Sequence, residues 1–116
     1  MSLDVSLYLP VDSGGPEPHS FELFSANYTH NCTTMAAEAG IYKHVWRPEE
    51  LDEVQTAGDL IEPLRAGIKR MEDEPQRFIA LNPPNGWGSY ATFLPWLRKY
   101  LEACVEHPKA LIDACR

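Results

Sequence analysis

The sequence has few cysteines, few basic residues and no long apolar run. Its three cysteines, Cys32, Cys104 and Cys115, are an odd number without a close pair, which favours free thiols in a reducing compartment over a disulfide framework. No run approaches the roughly eighteen apolar residues of a membrane-spanning helix. The N-terminus also lacks the charged and apolar regions of a signal peptide. These absences predict a cytoplasmic protein that is neither secreted nor inserted in a membrane.

Basic residues are outnumbered, because ten Lys and Arg stand against seventeen Asp and Glu and leave a formal net charge of −7. A surface of this sign repels phosphate backbones, so we expect no nucleic-acid partner. The charge points to no other partner, since a similar balance keeps many ordinary proteins soluble. The sequence leaves the oligomeric state open.

What the chain does contain is enough apolar material for one domain. It has 116 residues, 44% of them hydrophobic, and so can bury a core without a metal or a disulfide. Apolar residues alternate over 4–12, which predicts a half-buried strand. A second extended run at 20–28 predicts a hairpin with a long loop. Pro10 cannot donate to a ladder, so that end of the first strand is expected to lie at an edge or to have the Pro10 nitrogen pointing away from a neighbouring strand.

Helical spacing dominates the rest of the chain. The predicted helices cover 33–46, 56–72 and the stretch that follows Ser89, with a short helical turn at 48–54 and a last strand at 109–116. This order, β-β-α-α-α-β, predicts an α+β fold. We expect a small antiparallel or mixed sheet of about three strands with three main helices packed on one face, and the last strand beside the first.

Three residues or pairs are expected to cap these helices. Asn31 or Thr33 can accept a hydrogen bond from the first turn of the helix at 33–46. Thr56 with Asp59 resembles a capping box, and Asp59 with Glu62 is the alternative that Pro63 favours. Ser89 is the expected cap of the last helix.

The first candidate site is the strand-to-helix junction Asn27-Tyr28-Thr29-His30-Asn31. Amide and hydroxyl side chains there, together with the N–H groups of a helix start, suit an anionic or carbonyl-bearing ligand. Asn27, Thr29, His30 and Asn31 are the candidate binding residues. The alternative is that Asn and Thr only cap the helix and that His30 is a surface residue.

The second candidate is the loop Asn82-Pro83-Pro84-Asn85-Gly86-Trp87-Gly88. Prolines stiffen it, glycines permit positive φ, and the flat face of Trp87 offers a stacking platform for a planar ligand. Asn82 and Asn85 supply amides beside that face. Trp87 could instead anchor the loop to the core.

Catalytic and metal chemistry have weaker support. The segment Asp12 to His19 leaves a strand without entering a helix, so it matches no phosphate-binding loop. No metal-ligand spacing links the possible ligands, and we expect no metal and no cofactor; these ligands are Asp12, Glu17, His19, His30 and Cys32. Cys32 near a helix start, two residues from His30, leaves a Cys/His-dependent enzyme as the least favoured alternative.

Four segments together resemble one family. They are Asp12-Ser13-Gly14-Gly15-Pro16-Glu17-Pro18, the 27–31 junction with Met35, Ala80-Leu81-Asn82-Pro83-Pro84-Asn85-Gly86-Trp87-Gly88 and Cys104-Val105-Glu106-His107-Pro108-Lys109-Ala110. The chain is similar over nearly its whole length to small uncharacterised bacteriophage and prophage proteins. The resemblance names no activity. It implies a shared site that contains Asp12, Asn27, Thr29, Asn31, Asn82, Asn85 and Trp87.

Two functions follow as hypotheses. The first is a small phage-type accessory protein that binds a polar or nucleotide-like small molecule where the end of the first strand, the 27–31 junction and the 82–88 loop meet. The alternative is a protein-interaction factor that modulates or inhibits a host protein through exposed Trp87, Trp46 or Tyr28.

Overall fold

A computed structural model describes residues 2–11 and 19–116, which form the predicted α+β fold. Strand β1 (Ser2–Val11) lies between β2 (His19–Thr29) and β3 (Leu111–Cys115) and runs antiparallel to both. The prediction that the last strand lies beside the first is confirmed. The helices are α1 (Thr33–Glu38), α2 (Tyr42–Trp46), α3 (Ile61–Asp73), α4 (Pro75–Ile79) and α5 (Tyr90–Glu106).

The alternation in β1 separates a core face from an open face. Leu3, Val5 and Leu7 are at most 1% exposed, whereas Asp4 between them is exposed. Successive side chains of a strand point to opposite faces, so this pattern leaves one face of the sheet polar. Pairing with β3 ends at Tyr8, so Pro10 has only β2 beside it and lies at an edge, as predicted. The turn at 12–18 lies outside the described residues.

The single helix predicted at 33–46 is wrong, because the chain breaks it at Gly40. Helix α1 ends at Glu38 and α2 starts at Tyr42, with Gly40 at a φ of 79°. The Arg70 guanidinium donates to the Ala39 carbonyl oxygen (2.7 Å) and closes the end of α1. The positive φ of Gly40 strains any residue with a Cβ, and a Cβ there would also displace Nη1 of Arg70, which lies 2.5 Å from that position.

The remaining helix starts follow the predicted caps in part. The backbone N–H of Thr56 donates to the Asp59 carboxylate (3.0 Å), but the turn at Ala57–Leu60 is 3-10 and α3 begins at Ile61. The predicted turn at 48–54 is a shorter 3-10 turn, Pro48–Glu50. Ser89 caps α5 as predicted, since its hydroxyl accepts from the N–H of Thr92.

Helix α5 lies beneath the core face of β2. Its Tyr100 ring stacks on Phe24 at 6.1 Å between ring centroids, and its Trp96 ring packs on Tyr28 at 5.5 Å. Aromatic pairs at these separations contribute beyond their buried area. They fix the end of β2 relative to the start of α5, and the candidate site lies at that place.

Candidate functional site

A surface pocket opens where β2 ends, beside the loop that precedes α5. Its volume is about 560 Å³, within the range of small-molecule sites. The residues that line it are Ser2, Asn27, Tyr28, Thr29, Asn31 and Trp87. Two segments predicted to meet, the 27–31 junction and the 82–88 loop, therefore share one pocket, although they are more than fifty residues apart in the sequence.

Trp87 presents its ring to solvent and does not anchor the loop to the core. Its side chain is 69% exposed, which rules out the alternative of a core anchor. The loop reaches this conformation through positive φ angles at Gly86 (77°) and Gly88 (90°). The Asn85 side-chain oxygen accepts from the Trp87 backbone N–H (3.0 Å) and forms a local turn. The exposed indole is held on a short, constrained segment.

Tyr28 attaches the loop to the sheet. Its hydroxyl accepts a hydrogen bond from the Ser89 backbone N–H (3.2 Å) and lies 2.8 Å from Oγ1 of Thr92. Its ring packs on Phe93 at 5.1 Å between centroids. Burial raises the pKa of Tyr28, so its hydroxyl keeps its proton and can donate as well as accept.

Gly88 allows the loop to approach the junction closely. A Cβ at this position would lie 2.6 Å from the Thr29 methyl carbon, 3.1 Å from the Cys32 sulfur and 3.2 Å from the Tyr28 hydroxyl. Backbone of the loop therefore lies directly against side chains of the junction. No larger residue fits without moving one segment away from the other.

The helix cap at the junction is Thr29, which corrects the prediction of Asn31 or Thr33. The Thr29 hydroxyl accepts from the Asn31 backbone N–H (3.3 Å) and from the Asn31 side-chain amide (2.9 Å). A 3-10 turn at His30–Cys32 precedes α1, so the unpaired N–H groups belong to that turn. Helix α1 has only six residues, so its N-terminus does not support a ligand site.

Two amide side chains at the junction keep hydrogen-bonding capacity. Asn31 is exposed, and its side-chain oxygen accepts no hydrogen bond from any described residue. Asn27 is also exposed, and the described residues supply no partner to its side chain. An amide offers both donors and an acceptor, so Asn27 and Asn31 can form hydrogen bonds with the polar edge of a ligand.

Three predicted site residues hold the structure together instead of lining the pocket. The Asn82 side-chain oxygen accepts from the backbone N–H of Tyr90 (2.7 Å) at the start of α5, and Asn85 makes the local turn. His30 accepts through Nδ1 from the indole N–H of Trp46 (2.9 Å). The prediction that the end of the first strand joins this site is wrong, because Val11 pairs with His19 at the opposite end of β2 from Thr29. Asp12 itself lies outside the described residues.

Sequence reasoning overlooked three residues of this arrangement: Ser2, Tyr28 and Gly88. Tyr28 lies inside the junction motif, but its hydrogen-bonding partners are more than sixty residues later, so the motif does not show its role. Ser2 contributes because it pairs with Thr29 across β1 and β2. Neither pairing can be read from spacing along the chain.

Cys32 does not have the environment of a nucleophile. Its side chain is fully buried, and burial raises the pKa of the thiol, whereas a nucleophilic cysteine needs a stabilised thiolate. His30 is engaged with Trp46 and not with Cys32. In the described part of the chain, no three His, Cys, Asp or Glu side chains are placed to hold a metal ion.

We expect one of the three thiols to react rapidly with Ellman's reagent in the native protein. Cys115 is exposed, whereas Cys32 and Cys104 are buried and burial raises the pKa of Cys104 to about 12. All three should react in denaturant. The variant Cys115→Ser should lose the rapid phase, and a rapid phase that survives in it would show that a buried thiol is reactive.

Comparisons of the chain with protein-family models, with curated proteins and with solved structures find no match. The resemblance to phage proteins therefore stays a prediction from its motifs. Across residues 2–11 and 19–116, no helix is both long and apolar enough to cross a membrane.

Proposed function

We propose that the protein is a small binding module of the phage accessory type, and that the pocket beside Trp87 binds a planar, polar small molecule such as a nucleobase. The observation that carries this proposal is the exposed indole of Trp87 in one pocket with the amides of Asn27 and Asn31. An apolar face next to a few convergent polar groups is typical of ligand sites.

Each group has a distinct part in the proposed binding. The Trp87 ring stacks on the planar face of the ligand. The amides of Asn27 and Asn31 exchange hydrogen bonds with the ligand edge, since each can donate and accept. Such paired contacts give selectivity, because a ligand that lacks the matching edge leaves polar groups unpaired.

The site is partly ordered before any ligand arrives. Thr29 holds the amide of Asn31, and Asn85 holds the backbone of Trp87. The hydroxyl of Tyr28 links the end of the loop to the sheet. Binding then freezes fewer side-chain rotamers, which lowers its entropic cost.

The proposal is tested by titrating ¹⁵N-labelled protein with adenosine, guanosine, cytidine and uridine. At least one nucleoside should shift the indole N–H signal of Trp87. Trp87→Ala, in which the side-chain amide signals of Asn27 and Asn31 replace the indole as reporters, should bind about tenfold more weakly or worse, because a stacked base contributes about 1–3 kcal/mol. Its melting temperature should stay within a degree or two of wild type, since an exposed side chain adds little to stability.

Phe21→Ala is the matched control, because Phe21 is 62% exposed on the same strand as Asn27 but lies outside the pocket. It should bind the nucleoside as wild type does. The proposal fails if no nucleoside moves the Trp87 signal, or if Trp87→Ala binds as tightly as Phe21→Ala.

A second candidate function is a protein-interaction factor that acts on a host protein. The observation in its favour is an exposed apolar pair away from the pocket, Leu9 and Phe21, which are opposite each other across β1 and β2. The expected exposure of Trp46 is wrong, because its side chain is buried. Aromatic anchors of this kind are enriched in interfaces. A partner that is released by Phe21→Ala and retained by Trp87→Ala would favour this function over the pocket.

A further inference from the structure

We infer that the pocket selects a ligand that carries a positive charge, with its cationic group directed toward Asp4, and that it discriminates against phosphorylated ligands. This inference rests on the proposed function and names the chemical class of its ligand. It narrows a nucleotide-like ligand to one that carries an amine in place of a phosphate.

The first argument is the distribution of basic residues. Residues 1–42 and 78–97 contain no Lys or Arg, and these two stretches supply every side chain that lines the pocket. All ten basic residues lie within 43–77 and 98–116. Phosphate sites in proteins use Arg, Lys or the N-terminus of a helix, and the lining of this pocket offers none of these.

The basic residues are also largely taken up by carboxylates of the helical layer. Three such ion pairs are Arg65–Glu62 (2.7 Å), Lys69–Asp73 (2.8 Å) and Arg98–Glu72 (2.7 Å). Arg116, which directly follows β3, is likewise paired with Glu49, so the positive charge closest to the sheet is also neutralised.

Asp4 supplies negative charge directly beside the site. It pairs with Asn27 across β1 and β2, which places their Cβ atoms about 5 Å apart. Both residues line a second cavity of about 460 Å³ on the open face of the sheet, and Asn27 also lines the Trp87 pocket. The two cavities therefore adjoin at Asn27.

The carboxylates of the open face have no cationic partner among the described residues. Asp4, Glu22 and Asp113 line the second cavity and form no ion pair with any described residue. A ligand stacked on Trp87 with its polar edge at Asn27 extends toward this face. An ammonium group there is attracted, and a phosphate is repelled. The indole of Trp87 adds attraction for a cation at close range.

Three probes of one shape and different charge test the inference: 5′-amino-5′-deoxyadenosine, adenosine and AMP. Each is titrated into labelled protein, and the indole N–H signal of Trp87 reports binding. The amine should bind about two- to fivefold more tightly than adenosine, the effect of one exposed ion pair, and AMP should bind more weakly than adenosine. About 1 M NaCl should remove most of these differences, because it shortens the screening length to about 3 Å.

Two variants locate the effect. Asp4→Asn should bring the affinity of the amine close to that of adenosine. Glu102→Gln, an exposed carboxylate on α5 and outside both cavities, should keep the wild-type preference.

The outcomes separate the two claims. If AMP binds as tightly as adenosine or more tightly, the charge inference is overturned and the proposed function stands. If Asp4→Asn keeps the full preference for the amine, the assignment to Asp4 is overturned. If neither these three probes nor guanosine, cytidine or uridine moves the Trp87 signal, the proposed function fails and the inference fails with it.

Discussion

Gly88→Ala is expected to lower the free energy of unfolding by about 2–4 kcal/mol. Two costs add, because a φ of 90° strains any residue with a Cβ and because that Cβ would lie 2.6 Å from the Thr29 methyl carbon. The loop must move away from the junction to relieve the contact. We therefore also expect the variant to lose nucleoside binding, as measured by the Trp87 signal. Urea denaturation measures the stability change.

Gly86→Ala is the control for strain alone. Its φ of 77° is similarly unfavourable, but a Cβ there has no atom within 4 Å. Its cost should be about 1 kcal/mol, and the pocket should keep its affinity. Equal losses of stability in the two variants would show that Gly88 is needed only for its backbone angle and not for the close approach.

Tyr28→Ala is expected to cost about 2–4 kcal/mol and to detach the loop from the sheet. The change removes ring contacts with Phe93 and Trp96 and also the hydroxyl that pairs with Ser89 and Thr92. Urea denaturation measures the loss, and the Trp87 indole signal should sharpen as the loop becomes mobile.

The hydroxyl and the ring can be separated. Tyr28→Phe keeps the ring and should cost about 1 kcal/mol, the typical value of one hydrogen bond. Combined with Thr92→Val in a double-mutant cycle, it should show a coupling energy of about 0.5–1.5 kcal/mol. A coupling energy near zero would mean that the 2.8 Å contact does not contribute to holding the loop.

Local patterns predicted the strands and the fold class correctly. The alternation in β1 is a property of neighbouring residues, and Leu3, Val5 and Leu7 are buried as it requires. The cap at Ser89 is equally local, because its partner Thr92 is three residues away.

The break in the first predicted helix could not be seen in the same way. Met35, Ala39 and Trp46 keep helical spacing across it, since α1 and α2 bury their apolar residues in the same core. A glycine within a helix costs only about 1 kcal/mol and does not by itself end one. What ends α1 is the positive φ of Gly40, which lets the N–H groups of Gly40 and Ile41 donate back to the carbonyl oxygens of Ala37 and Ala36. Arg70, thirty-one residues later, adds a hydrogen bond to the Ala39 carbonyl oxygen.

In the candidate site, too, local sequence indicates the segments, and contacts distant in sequence determine which side chains face the pocket. Composition indicated the junction and the loop, since polar side chains and glycines concentrate there. It did not indicate which side chains face the pocket. His30 is drawn away by Trp46, sixteen residues later, and Tyr28 is recruited by Ser89, sixty-one residues later. These tertiary hydrogen bonds decide which residues remain free for a ligand, and no spacing along the chain encodes them.

The measurement that tests this account most directly is the nuclear Overhauser spectrum of Gly88. One of its α-protons points in the direction that a Cβ would take. A Cβ built there would lie 2.6 Å from the Thr29 methyl carbon and 3.2 Å from the Tyr28 hydroxyl, so this proton is close to both groups. Strong cross-peaks from Gly88 to the Thr29 methyl group and to Tyr28 are therefore predicted. If these are absent while the cross-strand peaks between β1 and β2 are present, the loop lies elsewhere and Trp87 shares no pocket with Asn27 and Asn31.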